Sequence, residues 1–122
     1  MIMSDGVYTK INELVQASFQ LNSFCDNIAY NIDECNYYHI SDVFHHSFAH
    51  KFPKFADIIT EFMSKIDARA IRGELKSNTE NYDGNMVAMF ADLEKECDAY
   101  RSLIIDVIEL AEYSRDFEVK IF

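Results

Sequence analysis

Apolar residues recur every three or four positions over three long stretches of this 122-residue chain, which is the spacing of a helix that buries one face. Gly occurs three times and Pro once, so little interrupts these stretches. A β fold of this size would need many more turn-forming residues. The sequence therefore predicts an all-α protein in which residues 1–122 form a single helical-bundle domain.

The helix boundaries are predicted from caps and from breaks in the apolar pattern. Ser4 or Asp5 can cap the first helix, and Pro53 is expected to break or kink the chain at 51–53 because proline disrupts a helix interior. The predicted order is a helix to about Asn36, a His-bearing segment, a helix over 53–75, a loop over 76–84, a helix over 85–114 and the start of another helix at 116–122. Each long helix has an apolar face too wide to leave in water, so an antiparallel bundle is expected.

All four histidines lie within twelve residues, in the segment HISDVFHHSFAHKF that starts at His39. At ~100° per residue, His39, His46, His50 and Asp57 point nearly the same way on a helix, opposite an apolar stripe. Neutral imidazole and carboxylate suit iron, zinc, manganese or copper. The pattern favours a metal site with His46 and His50, four residues apart, as primary ligands, and with His39 and Asp57 as secondary ones. His45 points ~100° away from His46 and is not included.

The same histidine stripe is also compatible with an ordinary solvated helix face. If it does bind metal, it lies on the outer side of the subunit, because the core stripe is opposite. The remaining ligands would then come from another helix or from a second chain.

Charge and composition exclude several classes of function. The net charge of −10 repels phosphate backbones, so nucleic acid is not an expected partner. No apolar run is long enough to cross a membrane, and the N-terminus lacks a signal-peptide pattern, so we expect a cytoplasmic protein. Three well-separated cysteines predict reduced, buried thiols rather than a disulfide framework. No glycine-rich phosphate loop or nucleophile motif is present.

One basic stripe interrupts this acidic chain. Lys65, Arg69, Arg72 and Lys76 follow one another at spacings of four, three and four residues. On the helix predicted for 53–75 they would complement the negative end of the helix dipole. The alternative is a binding site for an anion or an acidic neighbour.

Three passages resemble the ferritin-like superfamily, especially its Dps (mini-ferritin) branch. They are the His-rich passage that leads into a helix, the element IDARAIRGEL at Ile66–Leu75, and the helix-to-corner passage VIELAEYSRDFEVKIF at the end of the chain. The resemblance covers about two-thirds of the chain. It implies an antiparallel ferritin-like bundle that oxidises or sequesters Fe(II), hence a ferroxidase, at His and Asp sites between subunits.

The chain departs from the family pattern in its ligands. If Asp67 occupies the family's Asp position, Ile71 stands where the family has a Glu ligand and Phe52 where it has a His ligand. The expected iron, or another divalent metal such as zinc, is therefore assigned to the set His39, His46, His50 and Asp57. The alternative is a non-catalytic oligomerisation or interaction module that has lost the metal centre.

The last bundle helix also departs from the family, because only 116–122 remain for it. Either the bundle is truncated, or the His segment completes it, or a partner chain supplies the missing packing. Wide apolar faces would then require association, so we expect at least a homodimer. Its two-fold contact should involve the His stripe or the exposed bundle groove.

Overall fold

The computed structural model describes residues 3–116 and 119. The described part of the chain contains helices and no β-strand, which confirms the all-α class. Its elements are α1 (Asp5–Glu34), α2 (Tyr38–Val43), a π-helical turn (Phe44–Ala49), α3 (Lys51–Lys65) and α4 (Met86–Tyr113). The further helix expected at 116–122 lies outside the described residues, apart from Asp116 and Val119.

The central helix is α1, and it begins where the sequence predicts. Ser4 caps it, because its hydroxyl oxygen accepts a hydrogen bond from the amide of Val7 at 3.5 Å. The amide and the hydroxyl of Ser4 both donate to the same carboxylate oxygen of Asp116, each at 2.9 Å. Hydrogen bonds therefore join the start of α1 to Asp116, just beyond the end of α4.

Helix α4 runs opposite to α1. Ser4 lies beside Asp116, Ser18 bonds to Tyr100, and Ile32 packs with Met89, so rising numbers in one helix meet falling numbers in the other. The α2–α3 segment also runs opposite to α1, since Ser41 donates to the carbonyl of Ala29 and Arg69 accepts from Tyr8. It follows that α3 and α4 point the same way and that both pack on α1.

A buried hydroxyl pair joins α1 to α4 in the middle of the core. The Ser18 hydroxyl donates to the carbonyl of Leu14 at 2.8 Å and lies 2.7 Å from the Tyr100 hydroxyl. Because the single proton of Ser18 is used on Leu14, the Tyr100 hydroxyl is the donor between the two. The ring of Phe52, from the first turn of α3, meets the Tyr100 ring edge-on at 5.5 Å between centroids. All three long helices therefore meet at Tyr100.

The helical path is interrupted near Pro53, as predicted, because the π turn ends at Ala49 and α3 begins at Lys51. Pro53 lies in the first turn of α3, where its missing amide N–H costs no helix hydrogen bond. The C-terminal boundary of this helix differs from the prediction. α3 ends at Lys65 rather than near Leu75, and Asp67 takes a left-handed conformation with φ of 57°. The Ala68 amide then donates back to the carbonyl of Met63 at 2.9 Å, which closes the helix end.

Residues 66–85, which we call the strap, run without helix or strand along the surface of α1. Amide side chains of α1 bind the strap backbone in chain order. Asn12 accepts from the amide of Ile71 at 2.7 Å, and Asn31 accepts from that of Tyr82 at 2.9 Å. Further bonds come from Gln16, Gln20 and Asn27 to the carbonyls of Glu74, Lys76 and Glu80. This amide ladder gives hydrogen-bond partners to part of the strap backbone, which forms no helix of its own.

The strap overturns the prediction of a basic helical stripe. Lys65 is in the last turn of α3, but the other three residues lie on the strap. Arg72 instead stacks over the ring of Phe19 on α1, with its guanidinium carbon 3.8 Å from the ring centroid. This cation–π contact adds to the hold of α1 on the strap.

The described residues thus supply three long helices and a strap rather than a bundle of four long helices. None of the helices in the described part of the chain combines the length and apolar character needed to cross a bilayer.

Candidate metal centre

Three of the four histidines meet at the π-helical turn between α2 and α3. His45 and His50 are five residues apart, and on an α-helix they would point ~140° from one another. The π turn, Phe44–Ala49, instead follows i→i+5 bonding, which brings positions five apart onto nearly the same face. The break between this turn and α3 falls at His50. The π turn and the break at His50 together bring the histidine side chains close to one another.

His45, His46 and His50, which we call the His triad, each offer one ring nitrogen, and these three atoms lie within 4.8 Å of one another. The ring centroids are 4.9 Å apart for His45 and His46, 4.6 Å for His45 and His50, and 5.4 Å for His46 and His50. His46 is exposed, whereas the other two are half-buried. Because a zinc–imidazole bond is ~2 Å long, two nitrogens that share one ion lie at most ~4 Å apart, so the three rings would have to draw closer together to bind it.

Two carboxylates flank the triad. His45 Nε2 lies 3.1 Å from Asp26 Oδ1, on α1, and His46 Nε2 lies 3.3 Å from Asp42 Oδ1, one turn earlier in α2. Carboxylates in such positions orient imidazoles and fix the tautomer in which they bind metals. The pair with Asp42 is largely solvent-exposed, so water screens it, whereas the pair with Asp26 is about three-quarters buried.

Asp26 Oδ1 is itself an unusual atom. It is inaccessible to solvent and has no hydrogen-bond partner, although His45 Nε2 lies 3.1 Å away. A buried carboxylate oxygen left in this state is costly. Positive charge at the triad, from a protonated imidazole or a bound cation, would offset that cost.

The residues predicted from the sequence separate into two groups. His46 and His50 belong to the triad, as expected. His39 lies on the exposed surface beside Ile40 and Val43, and Asp57 is an exposed residue of α3 whose carbonyl accepts from Thr60. Neither belongs to the triad. The prediction assumed one continuous α-helix, and both the π turn and the break at His50 change the direction of the side chains.

His45 and Asp26 were not predicted as members of the site. A five-residue separation of two histidines was the signal for His45, but it becomes informative only if a π turn is expected. Asp26 is on another helix, and no local spacing relates it to the histidines.

Comparisons with known proteins identify no relative. No family model, no curated protein and no solved structure matches this chain. The chemistry of the triad itself is therefore the basis for a functional proposal. Three imidazoles can hold a divalent transition metal and leave further coordination positions open to water or to a ligand.

Proposed function

We propose that this protein binds a divalent transition metal through His45, His46 and His50. The observation that carries the proposal is the convergence of three imidazole nitrogens within 4.8 Å on one short turn. The buried, unbonded oxygen of Asp26 beside His45 supports it, because a cation in the triad would compensate the carboxylate. The roles proposed are three direct ligands, with Asp26 as the residue that orients His45.

The ligand chemistry indicates which metals to test first. An all-imidazole set suits zinc, copper, nickel and iron(II), whereas magnesium and calcium prefer oxygen. Affinity is expected to follow the usual order, with copper(II) above zinc and both above iron(II). Iron is the metal implied by the ferritin-like resemblance, and it remains the physiological metal that we propose.

The iron-handling form of the proposal is a ferroxidase or an iron-sequestering protein with sites between subunits. Open positions on a three-imidazole site would let dioxygen or water reach iron(II), and the acidic surface would attract cations. The described triad contains no carboxylate, and the part of the chain that the structure describes has three long helices. A ferritin-like site would therefore need oxygen ligands from a second subunit.

Metal analysis and titration of the purified protein test the proposal. We expect zinc binding at about pH 7.5 that weakens toward about pH 5.5, because protons compete for imidazole. The double substitution His46→Ala, His50→Ala should abolish binding while helical circular dichroism is retained. His39→Ala is the matched control, since it removes the one histidine outside the triad. If the double variant binds zinc like the parent, the triad is a solvated surface.

Fe(II) oxidation above the rate in buffer alone would distinguish the ferroxidase form of the proposal from simple metal binding.

A non-catalytic interaction module is the second candidate function. It is favoured by one observation, an exposed apolar groove between α3 and α4 that is separate from the triad. This candidate does not exclude metal binding, because the two surfaces share no residue.

A further inference from the structure

An apolar groove separates the two helices that pack side by side on α1. Its floor is formed by α1, and its walls are formed by α3 and α4. Ile11 and Leu14 of α1 line the floor, and Phe55, Ile58 and Ile59 of α3 line one wall. The facing wall is lined by α4 residues Tyr100, Ile104, Val107 and Ile108, and Val119, beyond the end of α4, completes the lining. The walls diverge because α3 and α4 each pack on α1 and meet one another mainly through the Phe52–Tyr100 contact.

The upper edges of the groove are open to solvent. Phe55 and Ile58 on α3 are 42% and 53% exposed, and Ile104 and Ile108 on α4 are 37% and 41% exposed. These four apolar side chains line one open groove, and contiguous apolar patches of this kind are where proteins bind one another.

The two walls of the groove have opposite charge. α3 carries three lysines and two acidic residues, whereas α4 carries seven acidic and two basic residues. Of the three long helices in the described residues, α3 alone has more basic than acidic side chains. The charged residues Lys54 and Lys65 of α3, and Asp98 and Glu109 of α4, are exposed.

We propose that this groove is a homodimer interface in which α3 of each subunit packs on α4 of the other. A two-fold axis along the groove produces this pairing and places the basic helix on the acidic one twice. The alternative pairing, α4 on α4, would oppose two strongly acidic helices and is disfavoured. The surface is therefore complementary to a second copy of itself, although the net charge of −10 would otherwise oppose association. This inference does not depend on the metal proposal.

Sedimentation or light scattering of the whole chain tests the interface. The parent protein should have twice the 14.2 kDa mass of the monomer. Ile58→Asp with Ile108→Asp should give a monomer that keeps its helical circular dichroism. The control is Val87→Asp, which charges an 82% exposed apolar residue of α4 outside the groove and should leave the dimer intact.

A second variant tests the interface in case the first groove variant does not fold. Lys54→Glu with Lys65→Glu reverses the charge at two exposed positions of α3 and should weaken dimerisation by at least about tenfold. Adding Asp98→Lys and Glu109→Lys on α4 should restore part of this loss. A monomeric parent would overturn the proposal, whether or not another protein fills the groove. A dimer that survives both groove variants would overturn it as well, because the contact would then lie elsewhere.

Discussion

Gln20 and Lys76 are joined by two hydrogen bonds, one in each direction. The Gln20 side-chain nitrogen donates to the carbonyl of Lys76 at 2.9 Å, and the Lys76 amide donates to the Gln20 side-chain oxygen at 2.7 Å. A helix side chain thus pairs with extended backbone much as a neighbouring strand would. Asn12 and Asn31 also donate and accept, but each bridges two strap residues. Asn12 donates to the carbonyl of Arg69 and accepts from the amide of Ile71. Asn31 donates to the carbonyl of Glu80 and accepts from the amide of Tyr82.

The first prediction follows from this pair. Gln20→Ala should lower the free energy of unfolding by about 1 kcal/mol and speed hydrogen exchange at the Lys76 amide. Gln20→Glu keeps the acceptor and loses the donor, so it should protect that amide better than alanine does. Equal exchange in the parent and in Gln20→Ala would show that the ladder does not hold the strap.

The second prediction concerns the buried hydroxyl pair of Ser18 and Tyr100. Ser18→Ala leaves the Tyr100 hydroxyl buried without an acceptor, which costs about 1–3 kcal/mol. Tyr100→Phe should cost less, because Ser18 still donates to Leu14. Chemical denaturation of both variants and of the double variant measures the difference. If Tyr100→Phe is the more destabilising substitution, the donor and acceptor have been assigned in the wrong order.

The third prediction uses the thiol of Cys25, which is fully buried. Burial, with smaller contributions from Cys97 and Asp26, raises the pKa of Cys25 from 9.0 to about 12. Between these values the unfolded chain loses the thiol proton while the folded chain keeps it. Stability is therefore unaffected by this group below about pH 9 and falls as the pH rises toward about 12.

Cys25→Ala provides the comparison for this effect, since other groups also titrate in this range. The variant should lose less stability than the parent between about pH 9 and pH 11 in urea denaturation. Cys25 should also resist thiol reagents in the folded protein at about pH 8. Parallel stability curves for parent and variant would contradict the assignment.

The helices themselves could be predicted from the sequence, because apolar spacing and caps decide them locally. Ser4 starts α1 and Pro53 marks the start of α3, as expected. The strap could not be predicted in the same way. Ile66 and Ala70 fit the helical pattern, but amide side chains of α1 bind the backbone of the following residues, at Ile71 and Glu74. From the sequence alone, the Asn and Gln side chains of α1 indicate only a polar helix face.

The candidate site could be predicted only in part, for a similar reason. His46 and His50 were identified from their four-residue spacing. His45 required knowledge of a π turn, and Asp26 required knowledge of how α1 packs against that turn. The periodicity of the sequence reveals neither the π turn nor the packing of α1 against it. His39 and Asp57 were included because a single helical direction was extended through the π turn and across the break at His50.

The fourth prediction isolates the role of Asp26. Asp26→Asn keeps the shape of the side chain but removes its charge, so it should weaken zinc binding about 10–100-fold. Asp42→Asn is the matched control. It changes the exposed partner of His46 and should have a smaller effect, because water already screens that pair. Isothermal titration calorimetry of the two variants compares them, and equal losses would deny Asp26 a special role.

The most direct measurement is a zinc titration of the parent, His45→Ala and His39→Ala at about pH 7.5. His45 belongs to the triad but not to the set predicted from the sequence, whereas His39 belongs to that set but not to the triad. We predict that the parent and His39→Ala bind zinc equally and that His45→Ala loses at least about 100-fold in affinity. This loss exceeds the one expected when a residue that only orients a ligand is removed. A parent that binds no zinc, or a His45→Ala variant that binds like the parent, would contradict the metal site.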